Sequence, residues 1–428
     1  MNDGLAKRLF ELGAKVRNPS LFQLYDELKD TEWLNRQQLQ DLQTEKARKF
    51  LCFAGESSPF YRKLFGEVGF KPNEYSGVSD LFCIPELDKL SLIENNASIH
   101  SDNIFEKVRL AETSGTSGQS LSFNRSERWD SLNRAAMMRS YDWYGVKPWD
   151  RNGYLWGYNI SRKQNRKVKL LDMLQNRFRL FGYSSDEIDA FARKLCGASF
   201  LNGYSSMVYE VARLINEKGI DVPALKLVKG TSEMIMDIHH VESIKAFGCR
   251  VTSEYGAAEA GLIAFECPYG GLHINVENVI VEQNSEGEIL ITNLESQSFP
   301  IIRYNLGDIV SLSEKFCSCG RAHPLVSEIQ GRKGNNVHGL NKKYPALTFY
   351  YVFKNIALEH EILVNYKVVQ KEIGKVIISI EGELSSITID RVQEQLDQYF
   401  GLDVECDLVF VKKFEITQKK SQYFESNL

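Results

Sequence analysis

Apolar side chains recur at helical spacing in the first 55 residues, at Leu5, Leu9, Phe10 and Leu12 and again at Leu34, Leu39, Leu42 and Phe50. This stretch reads as helical scaffold. Ser57-Ser58-Pro59-Phe60-Tyr61 then starts an aromatic-rich helix, and Trp129 to Tyr144 repeats the helical pattern with aromatics and methionines. Tyr154 to Tyr158 resembles a short buried strand, whose aromatics either pack a core or line a pocket. Phe200 to Ser205 reads as a strand end and turn. Val208, Val211, Ala212 and Ile215 follow on one helical face, stopped by Lys218-Gly219, and Leu225 to Val228 forms the next strand. Strand–helix–strand in this order predicts a parallel, three-layered α/β sheet with its site at the strand ends. Residues 276–313 alternate as short strands, with Asn284-Ser285-Glu286-Gly287 as a turn. From about Gly339 the pattern changes to strands at Val364–Gln370, Val376–Ile380 and Val404–Val409 and a helix at Ile389–Tyr399. That is a small α+β domain of roughly 90 residues.

A chain of 428 residues, 43% hydrophobic and 25% charged, has the composition of a soluble globular protein of two or three domains. A net charge of −4 excludes a broad nucleic-acid footprint. No apolar run of about 18 residues suggests a membrane span, and the first residues do not read as a signal peptide, so the expected location is the cytoplasm. Eight cysteines in so long a chain are not a disulfide framework. The basic run Arg162 to Lys169 reads as a solvated loop, with an anionic partner as the alternative.

The candidate chemistry sits in three stretches. Thr113-Ser114-Gly115-Thr116-Ser117-Gly118 is a loop of hydroxyls and glycines whose backbone N–H groups can wrap a polyanion. It is not a Walker A loop, and a plain surface turn is the alternative. Tyr255-Gly256-Ala257-Ala258-Glu259 offers an aromatic ring that can stack on a base and a carboxylate that can hold Mg²⁺ against phosphates; a helix start with an exposed glutamate is the alternative. Arg303-Tyr304-Asn305-Leu306-Gly307-Asp308 offers a carboxylate suited to accept two ribose hydroxyls.

Together these resemble the phosphate loop, the "YGxTE" motif and the "RYxTGD" motif of the adenylate-forming superfamily. Within it they resemble the branch of phenylacetate–CoA ligases, capsular-polysaccharide CapK proteins and coenzyme F390 synthetase-like proteins. Pro59 to Leu87 is similar to the entry segment of that branch, Gln330-Gly331-Arg332 to its "GRxDD" hinge, and the stretch around Lys420 to its "SGKxR" tail. Departures stand at Gln119 (often Lys), Ala258 and Leu306 (often Thr), Gly334-Asn335 (an acidic pair), and Lys419 and Gln422 flanking Lys420 and Ser421.

The resemblance implies a large N-terminal adenylate-forming domain, 1–331, with parallel or mixed sheets and flanking helices, and a mobile C-terminal lid, 332–428. It implies ATP-dependent activation of a small carboxylic acid through an acyl-adenylate, then transfer to a thiol, CoA or a carrier protein. Thr113 to Gly118 would hold the phosphates, Glu259 Mg²⁺, Ser232, Glu233, Tyr255 and Gly256 the adenine pocket, and Asp308 and Arg332 the ribose side. Lys420, with Lys419 beside it, would assist acyl transfer. The alternatives are an adenylyltransferase of the F390 synthetase type and a non-catalytic nucleotide-binding protein in surface-polysaccharide assembly.

Cys267 and His273, with Cys317 and Cys319, have spacing that can make a closed tetrahedral Cys₃His zinc site, with His323 as substitute ligand. The resemblance also implies such a zinc, in a structural role. Four unlinked reduced side chains are the alternative.

Overall fold

A computed structural model of the chain describes residues 3–113, 120–155, 162–180, 185–332, 336–360, 362–414, 423–426 and 428. It contains two compact units: Met1–Arg151, Leu170–Arg177 and Thr252–Ile329 form the first, and Asn152–Lys169, Phe178–Val251 and Gln330–Leu428 the second. The class is mixed α/β, as the periodicities predict.

In the first unit the N-terminal periodicity becomes helices Asp3–Arg17, Leu21–Thr31 and Arg36–Ser57. The third starts at a reciprocal cap: Asn35 accepts the Gln38 N–H while Gln38 accepts the Asn35 N–H, each at 3.0 Å. Ser58 and Pro59 then start helix Pro59–Val68, and left-handed Gly69 ends it at φ +69°. Tyr61 and Phe65 from this helix join Phe50, Phe123, Trp129 and Phe299 in one apolar core. Each such side chain contributes about 1.5–3 kcal/mol when fully buried.

Seven strands that lie wholly or mostly in this unit have the spatial order Val279–Gln283, Glu288–Asn293, Ile301–Ser313, Leu325–Arg332, Leu272–Ile274, Gly261–Glu266 and Val251–Ala257. The third strand is irregular. Leu290 faces Asn305 but Glu288 faces Ile309, so two residues on one strand span four on the other. Gly307, at φ +73°, makes this bulge, and Asp308 follows it. Asp308 thus lies within a continuous strand rather than in a loop. The entry segment braces that strand: Leu87 N–H donates to Arg303 O at 3.1 Å, and Asn305 N–H donates to Leu87 O at 2.8 Å.

In the second unit strand Phe200–Tyr204 pairs in parallel with Asn152–Leu155 and with Leu227–Thr231. Helix Ser205–Glu217 follows the first of these, with Val208, Val211, Ala212 and Ile215 buried as their spacing predicts. Gly203 packs so closely that a Cβ there would lie 2.2 Å from Leu155 O. The basic run is helical, not a loop: it opens helix Arg162–Leu174.

The C-terminal part of this unit has a four-stranded sheet in the order Glu405–Val411, Lys375–Glu381, Tyr366–Glu372, Phe424–Ser426. Its core holds Phe349, Phe353, Tyr366, Val392, Leu396 and Phe424. Helix Leu347–His360, which the periodicity did not single out, supplies the first two.

Candidate active site

The glycine loop is flanked by a two-stranded hairpin, Val108–Glu112 against Ser122–Ser126. Thr113 closes its neck: its N–H donates to Leu121 O at 2.9 Å, its Oγ1 accepts the Leu121 N–H at 2.9 Å, and its carbonyl accepts from Ser120 Oγ at 2.8 Å. Ser114, Gly115, Thr116, Ser117 and Gly118 lie outside the described residues, as do Lys419 and Lys420.

Tyr255 ends the buried part of strand Val251–Ala257, which turns through 258–260 into antiparallel strand Gly261–Glu266. Gly256 is required there, because a Cβ would lie 2.4 Å from Gly261 O. Glu259 therefore sits in a β-hairpin turn rather than at a helix start. It is also buried, at 6% exposure.

The two acidic motifs interlock. Tyr255 donates its hydroxyl to Asp308 Oδ2 at 2.9 Å, and Tyr304 donates its hydroxyl to Glu259 Oε1 at 2.9 Å. Each carboxylate of one motif is thus gripped by the tyrosine of the other. Hydrogen bonds to charged acceptors are the stronger kind, so the pair orients both carboxylates. Sequence reasoning assigned no role to Tyr304, although it lies inside the quoted motif.

Arg303, also in that motif, is committed elsewhere. It is buried at φ +49°, its Nε donates to Glu282 Oε1 at 3.0 Å, and its Nη1 donates to Ile84 O. It anchors the strand rather than a ligand.

In the second unit Ser232 follows strand Leu227–Thr231 in the left-handed region, at φ +66°, and is exposed. The Glu233 carboxylate accepts the Ser206 N–H at 2.8 Å, at the start of helix Ser205–Glu217. Glu233 is therefore a helix-capping group, which satisfies an otherwise orphaned donor. The Arg332 backbone ends strand Leu325–Arg332.

The predicted metal cluster assembles. Among the described residues the donor atoms of Cys267, His273, Cys317 and Cys319 all lie within 4.8 Å of one another. Cys267 and Cys317 sulfurs are 3.6 Å apart, and Cys319 Sγ is 3.2 Å from His273 Nε2. Tetrahedral zinc with bonds of about 2.3 Å to sulfur and about 2.0 Å to nitrogen would place donors roughly 3.5–3.8 Å apart. The donor set fits.

Gly271 keeps the cage open, since a Cβ there would come 2.7 Å from Cys317 Sγ and 3.2 Å from His273 Nε2. Burial lowers His273 to about 4, which keeps it neutral as a ligand must be. Burial pushes the Cys267 thiol up to about 12, so a metal ion binding there would displace its proton. His323 takes no part: its Nε2 lies 3.0 Å from Glu277 Oε1, within a buried cluster around Arg139.

The second cysteine loop is tied to the helical scaffold. Arg321 donates through Nη2 to Glu32 Oε1 at 2.6 Å, and its guanidinium lies 4.7 Å from the Trp33 ring and 4.5 Å from that of Trp143.

No protein-family model matches the chain. It is 23% identical to Protein CapK of Staphylococcus aureus over 429 residues, covering 94% of this chain and 92% of that protein. It is 22% identical to the phenylacetate-coenzyme A ligase of Thermus thermophilus over 321 residues, covering 71% of this chain and 72% of that one. Among solved structures it superposes on 2-hydroxyisobutyryl-CoA ligase in the postadenylation state in complex with 2-HIB-AMP. The TM-score is 0.73 at 15% identity, over 92% of this chain and 91% of that one. The three motifs in order, two of them interlocked, and these likenesses together indicate the adenylate-forming superfamily, in its phenylacetate–CoA ligase-like branch.

Proposed function

We propose that the protein is an AMP-forming acid–thiol ligase. The observation that carries this reading is the reciprocal grip of Tyr255 on Asp308 and Tyr304 on Glu259, which holds two carboxylates ready for a nucleotide and its metal. A carboxylate oxygen of the substrate attacks the α-phosphorus of ATP, the bond to the bridging oxygen breaks, and pyrophosphate leaves. The sulfur of a thiol, CoA in the simplest case, then attacks the acyl carbon, loses its proton, and AMP leaves.

Neither step needs a strong base, so the chain's work is positioning and charge neutralisation. In this reading residues 113–118 hold the phosphates, and Tyr255 and Ser232 flank the adenine. Asp308 accepts the ribose hydroxyls, with Arg332 on the ribose side. Glu233 acts indirectly, by fixing the start of the helix beside Ser232. Glu259 supplies one carboxylate to Mg²⁺, which bound to ATP neutralises phosphate charge; one or two protein carboxylates plus phosphates are the usual ligands of that ion. Cys267, His273, Cys317 and Cys319 hold a structural zinc that staples two loops of the first unit. Residues 332–428 act as the lid that brings Lys420 to the acyl-transfer step. We place the reaction in the cytoplasm and, by the resemblance of its motifs to the capsular-polysaccharide branch, in surface-polysaccharide synthesis.

Carboxylate-dependent ATP–pyrophosphate exchange over pooled aryl, fatty and amino acids tests the first half-reaction. Exchange with one pool, lost in Glu259→Gln and Asp308→Asn, is the expected result. Tight Mg·ATP binding with no exchange from any pool would refute acid activation and favour adenylyl transfer or a binding role.

A further inference from the structure

The turn that presents Glu259 is held from outside by side chains of three other elements. Arg125, on the strand Ser122–Ser126 that leaves the glycine loop, donates through Nη2 to Ala258 O. Asn293 Nδ2 donates to Ala260 O at 2.8 Å. Asn133 Oδ1 accepts the Leu262 N–H at 2.6 Å, just beyond Gly261 at φ +76°. The carbonyls immediately before and after Glu259 are therefore both gripped.

Arg125 is itself held by its neighbours. Its guanidinium lies 5.3 Å from the Trp129 ring and 5.9 Å from that of Phe123, and its Nη1 is 3.6 Å from Asp130 Oδ1. Asp130, at 5% exposure, is fixed in turn by Asn18 Nδ2 and Arg134 Nε, each at 2.9 Å. A planar guanidinium can serve Asp130 and Ala258 O at once, which a lysine ammonium on a flexible stem cannot do with the same geometry.

We infer that Arg125 is a positioning residue for the metal-binding carboxylate: it ties the Glu259 turn to the strand leaving the phosphate loop. The inference rests on the reading of Glu259 given above. It is also compatible with Ala258 standing where the family motif often has threonine, because Arg125 grips the backbone oxygen of that residue and asks nothing of its side chain. Asn293 does the same for Ala260. Both residues act on Glu259 through the backbone of its turn.

The test uses Mn²⁺ and ATP as probes on the full chain. Mn·ATP binding is followed by electron paramagnetic resonance, and ATP binding in excess chelator by calorimetry. For Arg125→Lys we expect Mn·ATP affinity to fall about tenfold or more while chelated ATP binds as in the wild type, since the loss is one of carboxylate placement. Asn293→Ala should shift the same ratio in the same direction, and it carries the test if Arg125→Lys fails to fold. Equal loss of affinity with and without metal, or no loss in either variant, overturns the inference and leaves Arg125 a packing residue. Failure of the wild type to bind Mn·ATP removes the Glu259 reading itself, and the inference with it.

Discussion

Tyr304→Phe is the sharpest probe of the interlocked motifs. The substitution removes one oxygen from a side chain at 3% exposure, and with it the 2.9 Å hydrogen bond to a carboxylate at 6% exposure. Ring packing is retained, so cavity terms are small. A hydrogen bond to a charged group contributes about 1.5–3 kcal/mol. If the hydroxyl orients Glu259, that preference is lost in the free enzyme, and forming the ATP complex must restore it. A loss of about 2 kcal/mol is roughly 30-fold in kcat/KM for ATP. Pyrophosphate exchange measures this directly, and a cycle with Glu259→Gln isolates the coupling. The double variant should be little worse than Glu259→Gln alone, because in this reading the hydroxyl acts on nucleotide binding through that carboxylate. Full additivity of the two losses, or an unchanged kcat/KM with a lowered melting temperature, would refute the orienting role.

Further outcomes follow from the same contacts. Metal analysis of the purified protein should return one zinc per chain, and Cys319→Ser should lose both the metal and several degrees of melting temperature; a metal-free wild type would refute the site. Arg139→Met strands the buried Glu277 carboxylate, which burial would raise but Arg139 and His323 hold well below its usual value. Breaking such a pair costs about 3–5 kcal/mol, or roughly 10 °C in melting temperature. Burial acts to raise Asp130 too, yet Arg134, Asn18 and Arg17 bring it to about 2. Its stabilisation is therefore complete above the unfolded value near 3.8 and is lost as pH falls through about 2. Asp130→Asn should cost about 2 kcal/mol at pH 7 by denaturant unfolding, and its difference from the wild type should shrink steadily below pH 4; a constant difference would exclude the charge as its source.

Local patterns proved legible where one element decides the outcome. Ser58 as cap and Pro59 at the first helical position are favoured helix starts, and Val208, Val211, Ala212 and Ile215 share one helical face. The Cys₃His cluster was legible because soft donors at short spacing have few other uses. The basic run Arg162 to Lys169 misled, since charge density reads as a solvated loop until the apolar half of the same helix is counted with it. The alternative of an exposed Glu259 failed for a different reason. Glu259 is buried and accepts a hydrogen bond from Tyr304, and nothing within five residues of it announces a partner 45 positions away.

That separation also accounts for which departures from the family pattern this chain tolerates. The four side chains of the double grip, Tyr255, Glu259, Tyr304 and Asp308, are all present. The altered positions inside the same motifs fall outside the grip. Ala258 contributes a backbone oxygen, available from any residue, and Leu306 packs its side chain against two apolar cores of the first unit. Substitution at either point therefore leaves both carboxylates oriented, whereas loss of either tyrosine releases one. By this reasoning a threonine restored at position 258 should change nucleotide binding less than removal of a single hydroxyl at Tyr304. The chemistry of the motifs resides in which side chains hold one another, more than in how closely each motif matches its relatives.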